Sequence, residues 1–143
     1  MGKINTGRVL IAGIAAGIVL DILGFLVDGV WLAPRWAAGM KALGHAGFGS
    51  NQVMWFNVLG IITGIVLIWV YAGIRPRFGA GARTAVIAGV AIWIVSVLTP
   101  NLSFMWFGGL FSRDLTAMTT AAGLVEVLVA ALVGGALYKE SVA

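Results

Sequence analysis

The sequence predicts an all-α polytopic membrane protein, with four transmembrane helices in two hairpins and a short outer interfacial helix. Two compositional facts point there first. The chain is 61% hydrophobic and only 10% charged, where a soluble domain carries roughly 25% charged residues. Its mean hydropathy is +1.05, so the charges are too few to cover a water-facing surface. The third observation is spacing: four apolar stretches, each near the ~20 residues that cross a bilayer, are separated by short basic loops. The 143 residues form a single transmembrane domain.

The first helix is expected over residues 9–31. It contains IAGIAAGIVLDILGFLVDGVW, an apolar run that carries Asp21 and Asp28. Thirteen Val, Ile, Leu or Phe residues between Val9 and Val30, at about −0.5 kcal/mol each, contribute about −6 kcal/mol to insertion, against about +3 for a central aspartate. The helix still inserts, and a residue this costly has a partner or a task. The segment after it, PRWAAGMKALG, predicts a short helix over 34–43 lying on the outer membrane surface. Pro34 stands at its start and Gly44 at its end, and Trp36, Met40 and Leu43 share one face.

The second helix is expected over 53–73, followed by a tight basic turn, IRPRFGAGAR, with Pro76, Gly79 and Gly81. The third runs over 84–107 and should kink or end at Pro100, which has no backbone N–H. The fourth covers 115–138, with Ser112 or Asp114 as its cap. VLIAGIAAGIVL (Val9–Leu20) is weakly similar to AVIAGVAIWIVS (Ala85–Ser96), which a duplicated helix pair would leave and which two apolar sequences also share by chance.

None of the four segments contains Lys, Arg or His. Lys3, Arg8, Arg75, Arg77, Arg83 and Lys139 fall on one side; Arg35, Lys41 and Arg113 fall on the other. Six against three places both termini in the cytoplasm. Trp31, Trp36, Trp55, Trp69, Tyr71, Trp106 and Tyr138 lie near segment ends, as an aromatic belt requires. The pI of 10.1 reflects loop charges that suit anionic lipid headgroups, so the partner is the lipid bilayer and not nucleic acid.

On a helix, residues spaced three and four apart share a face. Gly13, Gly17, Asp21, Gly24 and Asp28 do so in the first segment. Asn57, Gly60 and Gly64 do so in the second. Gly89, Ser96, Pro100 and Ser103 roughly do in the third, and Thr116, Thr119, Thr120, Gly123 and Glu126 do in the fourth. Small residues let neighbouring helices approach, so these polar groups face protein. At 1.5 Å per residue, Asp21, Ser96, Glu126 and Asn57 fall roughly 16–22 Å from the inner end, in one layer. Asp28 lies at the outer mouth. Asp21 and Glu126 are therefore expected to approach one another as a carboxyl pair.

No basic side chain is available in that layer to neutralise the acids. The carboxyls then share protons and hydrogen bonds, hold a cation, or line a wet outer cavity. They form the candidate proton- or cation-binding site: Asp21, Glu126, Asn57, Ser96 and Asp28. The alternative is a buried neutral carboxyl that only sets helix register.

The chain lacks features of catalysis. It has no cysteine, and His45 is its one histidine. Two Glu-x-x-His motifs for a di-iron site are absent, and GFGSN around Ser50 is not a protease signature. No enzyme activity and no cofactor are expected, and the metal question stays open.

GRVLIAGIAAGIVLDILGF, YAGIRPRFGAGARTAVIAG and GLVEVLVAALVGGALYKE resemble segments of an uncharacterised group of small bacterial four-transmembrane-helix membrane proteins. The resemblance covers nearly the whole chain and implies a multi-pass protein of the bacterial inner membrane. It carries no activity. The function expected is binding or translocation of a proton or small cation, in a homo-oligomer or beside other membrane subunits. The alternative is a non-catalytic accessory subunit of a larger membrane complex.

Overall fold

The computed structural model describes residues 4–140, so Lys3 lies outside the described residues. Asn5 caps the first helix, its side chain accepting from the Arg8 N–H at 3.1 Å. α1 runs Thr6–Gly24 and continues as a π-helical stretch over Phe25–Trp31. α2, Ala33–Ala42, starts with Pro34 in its first turn. α3 is Ser50–Phe78 and α4 is Ala82–Trp93. α4 is prolonged by π-helical stretches over Ile94–Leu98 and Asn101–Phe107. Ser112 caps α5, Arg113–Leu137. Four of these spans are long and apolar enough to cross a membrane.

Three local features differ from the sequence reading. α3 runs through Pro76 to Phe78, so the turn is confined to Gly79–Gly81. Pro76 removes one hydrogen bond and crowds the Ala72 carbonyl, and the helix ends two residues later. The helix stops at Gly79, whose φ of 86° leaves the helical region and whose N–H donates to the Arg75 carbonyl at 2.8 Å. Around Pro100 the third span goes on as widened turns. Tyr71 and Tyr138 are buried, not belted at the interface. Their rings meet edge to face at 5.9 Å. Their hydroxyls accept from the Gly81 N–H at 3.1 Å and the Asn5 N–H at 3.2 Å, which satisfies the polar end of each ring inside the bundle.

The core is built from small residues. Gly13 and Gly17 of α1 lie against the backbone of Ile65 and Ile61 of α3, where an added Cβ would come within 2.5 Å of each Cα. Gly64 in turn lies on Gly17 and Gly13. Such close approach supplies the packing that drives helix association in a bilayer.

The two hairpins repeat one packing scheme. The first and third spans, Thr6–Trp31 and Ala82–Phe107, each have 26 residues, and each ends in a π-helical stretch of 7 residues. At one constant offset, buried Val9, Ala12 and Gly13 correspond to buried Ala85, Ala88 and Gly89. At another, buried Gly64, Leu67, Ile68, Tyr71 and Ala72 correspond to Val127, Ala130, Ala131, Gly134 and Gly135, also buried. The contacts follow suit: Gly13 packs on Ile65, and Gly89 on Leu128. The weak similarity of the two helix starts is therefore the visible part of a two-fold repeat.

Candidate functional site

At the end of the bundle away from the termini, α1 and α3 part. Asp21 marks the point. Its carboxyl lies against Gly60, filling the space a side chain would need there. Beyond it opens a groove of about 700 Å³, walled by the end of the first span, α2 and the first turns of α3. Asp21, Asp28 and Asn57 are its polar lining, and no Lys, Arg or His lines it. Phe25, Trp36, Phe48 and Phe56 are the aromatic part of its wall.

Each polar group is held differently. Asp21 is half-buried and faces α3. Asp28 is also half-buried and accepts from the Trp36 indole N–H at 2.9 Å, which leaves its second oxygen toward the groove. Asn57 is exposed and its amide donates to the Val53 carbonyl at 2.9 Å. α2 therefore does more than lie on a surface. It folds back on the bundle, with Met40 buried, Trp36 on Asp28 and Phe111, and Gly39 against Phe111. Leu43 stays exposed.

Asp21, expected to approach Glu126, has its carboxyl against Gly60 of α3. Glu126 lies beside Gly24, where an added Cβ would be 4.0 Å from its Oε2. Among the described residues no hydrogen bond joins Asp21 to Glu126. The π-helical stretch from Phe25 leaves Asp21 where α1 puts it but moves Asp28. Its wider turns rotate less per residue than an α-helix, so Asp28 falls behind the line of Asp21 and comes round toward Gly24. Asp28 thus stands between the groove and Glu126.

Ser96 is not brought in. It is exposed on the third span, and its hydroxyl donates to the Ile92 carbonyl at 2.8 Å. The threonine stripe of α5 serves to bind the third span. Asn101 donates to Thr120 Oγ1 at 2.9 Å and to Thr119 Oγ1 at 3.3 Å, and the Trp93 indole donates to the Thr120 carbonyl at 3.0 Å. The sequence reading missed Gly60, Trp36, Phe48 and Phe56 as site residues. Gly60 was legible in the Asn57–Gly60–Gly64 stripe. The aromatic residues were not, because nothing local tells that α2 folds inward.

The repeat shows what is particular to this site. The partner of Asp21 in the second hairpin is Val97, which packs on Gly123 as Asp21 packs on Gly60. The partner of Asp28 is Phe104. The second hairpin also has no counterpart of α2, since Phe107 is joined to Arg113 by a short loop. These three departures of the first hairpin line one groove, whereas Glu126, which stands where the first hairpin has Thr63, does not line it.

Among the described residues no group of three His, Cys, Asp or Glu side chains is placed to hold a metal ion. Comparison with known protein families, with curated proteins and with solved structures finds no match. The resemblance to small bacterial four-helix membrane proteins therefore rests on the quoted motifs alone.

Proposed function

We propose that the protein is a multi-pass protein of a bacterial inner membrane, termini in the cytoplasm, that binds or moves a proton or small cation. Asp21 and Asp28 are the primary groups, and Glu126 takes up charge behind Asp28. The observation that carries this reading is the exchange of Val97 and Phe104 for acids at matching positions. A fold that packs valine on Gly123 has no structural need of a carboxylate on Gly60. Acids that packing does not require, in an apolar segment where a central one such as Asp21 opposes insertion by about 3 kcal/mol, are better explained by a task.

Reconstituted vesicles test it. With an imposed pH or sodium gradient and an internal fluorescent indicator, the wild-type chain should dissipate the gradient faster than empty vesicles. Asp21→Asn should return the rate to that of empty vesicles. Equal rates for wild type and variant would remove the proposal.

The competing reading is a non-catalytic subunit of a larger membrane complex. The run from Ser50 to Leu59 on α3, exposed throughout, favours it. Native mass spectrometry of the protein extracted from its own membrane decides whether a second copy or a different chain covers that run.

A further inference from the structure

The dimensions of the groove bear on which cation it takes. Asp21 and Asp28 are seven residues apart, roughly 10 Å along the axis. A bare inorganic ion needs its oxygen ligands at about 2.3–2.6 Å, so the two acids do not share one. The volume, about 700 Å³, lies within the roughly 300–1,000 Å³ of sites that hold drug-sized molecules.

The wall supplies the second clue. Trp36 meets Phe48 at 5.8 Å and Phe48 meets Phe56 at 5.5 Å, both edge to face, so a run of rings crosses from α2 to α3. A cation is attracted to such ring faces within about 6 Å of the centroid. Phe56 is 54% exposed and Val53 47%, so the groove's α3 wall, in the first turns of that span, is open at the side.

We infer that the groove binds a hydrophobic organic cation, a drug-sized amphiphile that enters sideways from the membrane between the first span and α3. This rests on the cation-binding role proposed for Asp21 and Asp28 and names the class of cation. The charge sits between Asp21 and Asp28, and the apolar body lies against Phe25, Phe48 and Phe56. Asn57 offers the one neutral polar contact on the α3 wall.

The test is equilibrium binding of radiolabelled tetraphenylphosphonium to the full chain in lipid nanodiscs, beside the neutral triphenylphosphine oxide. The cation should bind saturably and at least about tenfold more tightly than the neutral compound, a difference of about 1.4 kcal/mol. Asp21→Asn should erase that preference. Phe56→Ala, at an exposed position that cannot unfold the bundle, should weaken binding of both compounds. Equal binding of cation and neutral compound to wild type overturns the inference, as does a preference that survives Asp21→Asn. If tetraphenylphosphonium does not bind while gradient dissipation still depends on Asp21, the organic-cation inference falls and the proton or small-cation reading stands. If dissipation is also independent of Asp21, both fall.

Discussion

Asp21 occupies the position where one hairpin has an acid and the other a valine, and that makes a single substitution informative. Asp21→Val copies the contact that Val97 already makes with Gly123. The fold should tolerate it, and insertion should improve by about 3 kcal/mol because a central carboxylate is removed. Gradient dissipation should nonetheless be lost. The thermal midpoint in detergent and the vesicle rate are the two readings. A variant that unfolds would mean the acid is needed for packing after all. At this scale the sequence disclosed a good deal. The cost of Asp21 and Asp28 was readable from their neighbours, and so was the absence of a basic partner. The direction of Asp28 was not readable, because helical spacing assumes a constant rotation per residue and the turn widens after Gly24.

Among the elements, α1 and α3 depend on three glycines. Gly17 faces Ile61 and Gly64 so closely that even a methyl group meets backbone, which cannot move as a flexible side chain can. Gly17→Ala should therefore destabilise by about 1–3 kcal/mol through overpacking. The same change at Gly73, inside α3 with nothing within 4 Å, should instead stabilise by about 0.5–1 kcal/mol, because alanine loses less chain entropy in a helix than glycine. Melting both variants in the same detergent is the check, and equal midpoints would mean that this helix pair is looser than described. The glycine stripe and the four spans were legible because both follow from composition and period. The role of α2 was not. Its amphipathic face suits a membrane surface, and its packing on the bundle through Trp36, Gly39 and Met40 has no local sequence signal. The repeat was legible only as a similarity of two helix starts. Its second helices preserve burial while exchanging residue types, as with Gly64 and Val127, so sequence likeness is lost where packing likeness is kept.

For the whole molecule, orientation decides which compartment the groove addresses. Both described ends of the chain lie at one end of the bundle, tied by the Asn5 N–H to the Tyr138 hydroxyl. Arg75 lies there too, over the Tyr138 ring at 5.7 Å and 3.2 Å from Glu140. Arg8, Arg77, Arg83 and Lys139 share that end, while the groove and α2 lie at the other with Arg35, Lys41 and Arg113. The pairing of Arg75 with Glu140 does not lessen the asymmetry, because topology follows the count of Lys and Arg and acids contribute little. The groove should therefore open toward the outer leaflet. The chain has no cysteine, so single cysteines report cleanly. His45→Cys and Lys139→Cys are both at exposed positions. In intact cells a membrane-impermeant maleimide should label the first, and the second only after permeabilisation. The reverse pattern would turn the groove to the cytoplasm and change the leaflet from which a cation enters. Labelling of both from one side before permeabilisation would contradict four membrane crossings between the two ends of the bundle.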